Sequence, residues 1–226
     1  MKAFEKKMDK SAEYFDKLAC VYDQATNKEG SWTPPGYIYS RIQSYLNTET
    51  TILDVGIGTG KSIKAIYNSK KYKYILGVDV SAKMLEVCGR TYPDIDTKVI
   101  ESISELEYLP YKFDLLLYSG VLEFVEDLRS AFSVSQKLLN NRGLLVFTYE
   151  PIICYHTIQK DEVSETVSSV DSRFYVDGFN TYRRNPVDVN SLLIQSRFSI
   201  VNDEEFVSYK KDGESIIYHL IMASKD

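Results

Sequence analysis

Two periods of apolar and polar residues alternate along this chain in a regular order. Short apolar runs recur at Ile52-Leu-Asp-Val55, Tyr74-Ile-Leu-Gly-Val-Asp79, Thr97-Lys-Val-Ile-Glu101, Phe113-Asp-Leu-Leu-Leu-Tyr118 and Gly143-Leu-Leu-Val-Phe-Thr-Tyr149. Runs of this length, bounded by turn residues, predict strands buried on both faces. Helical spacing fills the intervals: Lys61 to Ser69, Lys83 to Thr91, and Asp127 to Leu139 with a stripe of Leu128, Ala131, Phe132, Val134, Leu138 and Leu139. Two further helices are predicted ahead of the first strand, over Phe4 to Leu18 and over Tyr37 to Leu46, with Pro35 setting the start of the second. Asn140-Asn-Arg-Gly143 is expected to stop the Asp127 helix, with Gly143 supplying positive φ. Asn185 and Pro186 cap a last helix, and Ser199 to Tyr209 and Glu214 to Ala223 predict a hairpin around Lys210-Lys-Asp-Gly213. From Ile152 to Tyr182 the periodicity fails, apart from a short strand expected at Phe174 to Val176. Strands alternating with helices predict an α/β protein.

The candidate chemistry begins where the first strand ends. Gly56, Gly58 and Gly60 alternate with Ile57 and Thr59, and a helical segment follows. So many glycines imply a backbone that turns sharply and lets a ligand approach closely. Strand, glycine loop and helix form the cofactor-binding corner of a Rossmann-like unit. A dinucleotide loop wants Gly-x-Gly-x-x-Gly. Here the spacing is Gly-x-Gly-x-Gly, and Asp54 precedes it. A carboxylate at that point suits a cation better than a phosphate. Nineteen residues past Gly60, the second strand ends in Asp79, followed by Ser81 as a helix N-cap. An acid at the end of the second strand of such a unit accepts hydrogen bonds from ribose hydroxyls.

Asp54-x-Gly-x-Gly-x-Gly60 resembles motif I of the class I S-adenosylmethionine-dependent methyltransferases, and Gly77-Val-Asp-Val-Ser-x-x-Met84-Leu resembles their second cofactor motif. The resemblance implies a doubly wound, mostly parallel seven-stranded sheet with helices on both faces and an antiparallel C-terminal hairpin strand. It implies S-adenosyl-L-methionine as cofactor, held by Asp54, Gly56, Gly58, Gly60, Asp79, Val80 and Met84, with Met84 against the adenine. Glu101-Ser102-Ile103 follows the third strand, where the family more usually has Asp-Ala; Ser102 and Ile103 are the adenine neighbours there. Phe15-Asp-x-x-Ala-x-x-Tyr22-Asp resembles a segment that, in many small-molecule methyltransferases, folds over the cofactor. Tyr14 and Tyr22 are therefore cofactor candidates, with amphipathic-helix packing as the other reading. Ser119 stands off the carboxyl end of the fourth strand, near the methionine part of the ligand. After it, Val121-Leu-Glu-Phe124 has Phe where the family often has His.

The acceptor side is less specified. Trp32, in the loop Asn27 to Gly36, either lines the pocket mouth or caps the core. Glu150, at the end of the fifth strand, either works on an acceptor or is solvated before Pro151. Tyr182 and Arg183 resemble the family's entry to its last helix, and Arg183 either binds an acidic group or makes a surface salt bridge. His156 is the one candidate base, with a surface histidine as the other reading; His219, in an alternating strand, reads as structural.

Composition narrows the class. The chain has 226 residues, 44% of them hydrophobic, and no apolar run approaches the ~20 residues that span a bilayer. A net charge of −5 without a basic tract argues against nucleic acid. Cys20, Cys88 and Cys154 are too few and too scattered for a disulfide framework or a metal cluster, which fits a reducing cytoplasm and no metal. The expectation is a single domain over 1–226, with 1–46 as an N-terminal helical cover and 152–182 as a lid after strand five, acting on a small-molecule substrate as monomer or homodimer. A protein-substrate methyltransferase, a nucleotide-dependent oxidoreductase and a non-catalytic cofactor-binding partner stay as alternatives.

Overall fold

The computed structural model describes residues 2–27, 32–166 and 179–226. The expected strand Phe174 to Val176 lies outside them. Three helices lead in: α1 (Lys2–Leu18), α2 (Tyr22–Thr26) and α3 (Pro34–Ile42). Then β1 (Thr51–Val55), α4 (Lys64–Ser69), β2 (Tyr74–Asp79), α5 (Ala82–Thr91), β3 (Asp96–Val99), β4 (Phe113–Tyr118), α6 (Leu128–Leu138) and β5 (Leu139–Tyr149) alternate. A small antiparallel pair, β6 (Val163–Thr166) and β7 (Phe179–Tyr182), precedes α7 (Pro186–Gln195), β8 (Phe198–Lys211) and β9 (Glu214–Lys225).

Seven strands form one sheet in the order β3-β2-β1-β4-β5-β9-β8. The first five are parallel, and β9 enters antiparallel between β5 and β8. The sheet buries alternate residues on opposite faces, as the pleat requires. Ile52 packs with Ile38, Ile42, Ile66, Leu85 and Cys88, from α3, α4 and α5. Its neighbour Leu53 packs with Phe132 of α6 and Leu193 of α7 on the other face. This is the α/β protein that the pattern predicts, with the doubly wound sheet that the family resemblance implies. No helix among the described residues is long and apolar enough to cross a membrane.

Local signals behave largely as their chemistry demands. Ser81 Oγ accepts from Met84 N at 3.1 Å, and Asn185 and Asp127 cap α7 and α6 with their side chains. The β8–β9 turn is Asp212-Gly213, both at positive φ (52° and 83°), the hairpin geometry that Asp-Gly favours. Two expectations need correcting. Pro34, not Pro35, opens α3, which ends at Ile42. Gly143 does not hold positive φ: Arg142 does, at 61°. Strand β5 starts directly after α6, at Leu139, and Gly143 lies within it. A Cβ on Gly143 would lie 2.8 Å from the carbonyl oxygen of Asn140, so the glycine is required by a close approach.

Candidate functional site

A crevice opens off the carboxyl ends of β1, β2 and β4. The switch in strand order between β1 and β4 places it there, as for other open α/β sheets. Val55, Gly56 and Gly58 form one wall; Asp79, Val80 and Met84 the next; Ile100 and Ile103 a third. Ser119 to Val121, Phe124 and Val125 close the far side, and Ser11, Phe15 and Tyr22 come over from α1 and α2.

The glycine loop is fastened to β2. Gly56 N and Ile57 N both donate to the carbonyl of Val78 (2.7 and 3.1 Å), and Gly58 N donates to Asp79 Oδ2 at 2.8 Å. At Gly58, φ is +56° and an added Cβ would meet nothing within 4 Å, so the backbone is bare toward the crevice. Gly60 is not a crevice residue. A Cβ there would come 2.5 Å from the Tyr92 ring, so this glycine lets α5 pack against the loop.

Asp79 is buried, with Oδ1 accepting from Ser81 N at 2.9 Å. Burial raises its pKa, and the backbone amides of Ser81, Gly58 and Val80 oppose that shift. Each carboxylate oxygen keeps a further lone pair for a ligand hydroxyl. Asp54 lies beneath the loop, wholly buried and outside the crevice lining. Ser62 Oγ donates to its Oδ2, while Oδ1 has no partner among the described residues. Burial lifts its pKa to about 7, with the Asp79 charge adding and the Ser62 hydroxyl opposing. Ser119 Oγ, on the crevice wall, is likewise buried without a partner. A bare glycine backbone, a strand-tip carboxylate with spare lone pairs and an unpartnered hydroxyl fit a ligand rich in hydroxyl and amino donors.

The N-terminal helices are tied down by the two aspartates of the Phe15-Asp16 to Tyr22-Asp23 segment. Asp23 Oδ1 accepts from Thr59 Oγ1 in the glycine loop at 2.7 Å. Asp16 Oδ1 accepts from Ser81 Oγ at 2.6 Å and from Lys83 N at 3.2 Å. Lys61 Nζ reaches back to Thr26 Oγ1 (2.6 Å) and Asn27 Oδ1 (3.0 Å). Tyr22 lines the crevice, and burial, then the charges of Asp79, Asp23 and Glu123, raise its hydroxyl pKa. Tyr14 is buried with Leu18, Ala19 and Met84 and does not line the crevice.

Residues 53–147 match the family model of the methyltransferase domain. That stretch, from β1 to β5, carries a methyltransferase domain. Among curated relatives, an uncharacterised protein of Methanocaldococcus jannaschii is 24% identical over 91% of this chain and 76% of its own length. Carboxy-S-adenosyl-L-methionine synthase 1 of Yersinia pseudotuberculosis is 23% identical over 90% of this chain and 86% of its own. Two other curated relatives match over 52% and 33% of their lengths. Among solved structures, the magnesium protoporphyrin IX methyltransferase of Synechocystis PCC 6803, crystallised with bound S-adenosylhomocysteine, superposes with a TM-score of 0.66 at 15% identity, covering 91% of this chain and 88% of that one.

The remaining candidates sort by their place in the fold. Ile103 lines the crevice; Ser102 does not, and its Oγ pairs with Ser104 Oγ at 2.6 Å. Trp32 lies against Gly120, where a Cβ would come 2.5 Å from Cζ2, and its ring meets those of Tyr209 and Tyr218 at 5.9 and 5.6 Å. Glu150 is buried and is paired with Arg183 Nε at 2.7 Å, so two separate candidates meet in one ion pair. Tyr182 is buried beneath the Arg184 guanidinium, 4.8 Å over its ring. His156 is held away from the crevice: its Nδ1 takes the Ile158 and Gln159 amides at 3.2 Å, and its Nε2 lies 3.2 Å from the Ser215 carbonyl. His219 lies between Asp203 and Glu205, at 2.9 and 3.2 Å.

One residue of interest is absent from the sequence-derived set. Glu123 sits in a short turn (Leu122–Phe124) between two crevice residues, Val121 and Phe124, and is only 4% exposed. Its signal in the sequence is a lone carboxylate inside an apolar turn just after a central strand.

Proposed function

We propose that this chain moves the methyl group of S-adenosylmethionine to a nucleophilic nitrogen, oxygen or sulfur of a small-molecule metabolite. The observation that carries the reading is the convergence of Gly58, Asp79 and Ser119, from the tips of three neighbouring strands, on one crevice roofed by α1 and α2. In this reading Asp79 holds the ribose hydroxyls, and Gly56 and Gly58 let the amino-acid part approach the backbone. Val80, Met84 and Ile103 flank the adenine, Ser119 meets the methionine part, and Tyr22 lies over it. Asp54 supplies negative charge beneath the loop. The cofactor brings a methyl carbon that is already electrophilic. The protein has to align a nucleophile and exclude water.

The small-molecule assignment rests on the roof. The backbone of β7 packs against both α1 and the Leu122–Phe124 turn, two elements that contribute residues to the crevice. A covered site admits a metabolite more readily than a macromolecule. We read 1–226 as a single domain, with 1–46 as the helical cover and 152–182 as the lid, of which 28–31 and 167–178 lie outside the described residues. Three free cysteines are in keeping with a cytoplasmic protein.

Two measurements test this. Calorimetry should give S-adenosylhomocysteine binding that Asp79→Ala weakens at least about tenfold, through loss of hydrogen bonds to a charged group. Unchanged affinity in that variant counts against the placement. Incubation with methyl-labelled cofactor and a metabolite extract should move label into a small product; tight binding with all label left on the cofactor would point to a non-catalytic protein or another use of the same cofactor.

A further inference from the structure

Behind the Gly120 turn lies a second cluster, built from the far end of the sheet. The Tyr218 hydroxyl of β9 acts on Glu123 as a hydrogen-bond donor, holding its pKa down. Oε2 of Glu123 is buried and has no partner among the described residues. Tyr209 of β8 and Trp32 pack on Tyr218 at 6.2 and 5.6 Å, giving aromatic walls. The second buried carboxylate, Glu150, is already committed to Arg183. Arg184 turns its guanidinium to the carbonyls of Leu122, Val125 and Glu126. Among the described residues no side-chain cation is bonded to Glu123: Arg184 acts on it by charge alone, and Oε2 is left for a donor from a ligand.

The cluster also touches the cofactor crevice electrically. The Glu123 charge acts on Tyr22, a crevice residue, as well as on Tyr209, Tyr218 and Arg184. Burial lifts the Glu123 pKa to about 7; its own backbone amide, the Tyr218 hydroxyl and Arg184 oppose the rise, while Glu150 adds to it.

We propose that Glu123, with Tyr218, binds the acceptor as an amine and takes the proton that its nitrogen must shed before methylation. This deepens the methyltransferase reading and rests on it. The proton step is R–NH₃⁺ plus Glu123 carboxylate giving R–NH₂ plus Glu123 carboxylic acid. The nitrogen lone pair then forms the bond to the methyl carbon as the carbon–sulfur bond breaks, leaving a methylammonium product and S-adenosylhomocysteine. Burial favours that proton step, because it turns two charges into none. A carboxylic acid acceptor fits poorly, since its anion would face Glu123 and Glu150 together. A phenol fits less well than an amine, because ionising it leaves one buried anion for another.

The test uses the full chain labelled with carboxyl-¹³C glutamate, the Glu123 resonance being assigned by its loss in Glu123→Gln. Its titration midpoint is expected near neutrality, and Tyr218→Phe should raise it further by removing a hydrogen bond to the carboxylate. With S-adenosylhomocysteine in place, at least one of tryptamine, phenethylamine and putrescine should bind and perturb the same resonance, whereas benzoate should not. Glu123→Gln should keep its S-adenosylhomocysteine affinity and lose at least about tenfold in affinity for that amine. A Glu123 midpoint in the ordinary carboxyl range, no effect of Tyr218→Phe, no amine binding, or amine binding unaltered in Glu123→Gln would each overturn the proposal while leaving the cofactor site standing. Failure of the wild-type chain to bind S-adenosylhomocysteine would instead remove the methyltransferase reading, and this one with it.

Discussion

An added methyl group at Gly58 would project into open space, whereas two residues on, at Gly60, it would strike the Tyr92 ring at 2.5 Å. Tyr92 has little room to retreat, because Tyr67 stands edge-on to it at 5.0 Å. Gly58→Ala is therefore expected to lose ~1–2 kcal/mol to its left-handed backbone, and to lower S-adenosylhomocysteine affinity at least about tenfold. Gly60→Ala should lose more stability, read as a lower urea midpoint. If Gly58→Ala binds the ligand as tightly as wild type, the loop does not face it. Residues defined by local spacing were legible from the sequence: Gly56, Gly58, Asp79 and the Ser81 cap all follow from their immediate neighbours, whereas Gly60 serves packing against Tyr92. Glu123 was not, because its partner Tyr218 lies across the sheet on β9 and no local pattern connects them. Gly143 misled for a related reason, since Arg142 adopts the left-handed conformation assigned to it.

At the scale of elements, the two N-terminal helices are joined to the cofactor corner by a few side-chain bonds. Asp23 to Thr59, Asp16 to Ser81 and Lys61 to Thr26 are the principal ones. Each net hydrogen bond contributes about 0.5–1.5 kcal/mol, beside the apolar contact of Tyr14, Leu18 and Ala19 with Met84, so losing two of the bonds should loosen the docking without disturbing the sheet. The double variant Asp16→Ala, Asp23→Ala should exchange amide hydrogens faster over residues 10–27 and bind S-adenosylhomocysteine several-fold more weakly. Its sheet amides should stay as protected as in wild type. Uniform loss of protection would mean that the helices are part of the core. The sequence exposed the helices and the motif but not the fastening, since acids on an amphipathic helix read equally well as a solvated face. The start of β5 was hidden similarly: Asn140-Asn141-Arg142 is polar enough to read as a helix stop, yet it continues the strand where that strand is exposed.

For the whole molecule, the acids whose pKa burial lifts to near neutrality set the pH response. Asp54 and Glu123 titrate at about 7 in the folded chain, against ~3.9 and ~4.3 when unfolded. The folded state then holds more protons than the unfolded one between those values, so stability falls as pH rises from about 4 to about 7 and levels off above. Asp114 and Asp127, whose pKa values are lowered mainly by hydrogen bonds that outweigh burial, act oppositely below that window. The urea midpoint of the ligand-free chain should therefore decline through this range, and Asp54→Asn should flatten the decline; a midpoint that climbs with pH would contradict the assignment. The alternation of strands and helices was plain from the order of apolar runs, because burial on both faces of a parallel sheet leaves so clear a mark, while the doubly wound order came from the family resemblance. One last consequence concerns Trp32, the single tryptophan of the chain, whose indole rests on Gly120 at the edge of the crevice. Excited selectively in the near ultraviolet, it reports from that one spot, so the unlabelled protein can serve as its own fluorescent gauge of occupancy.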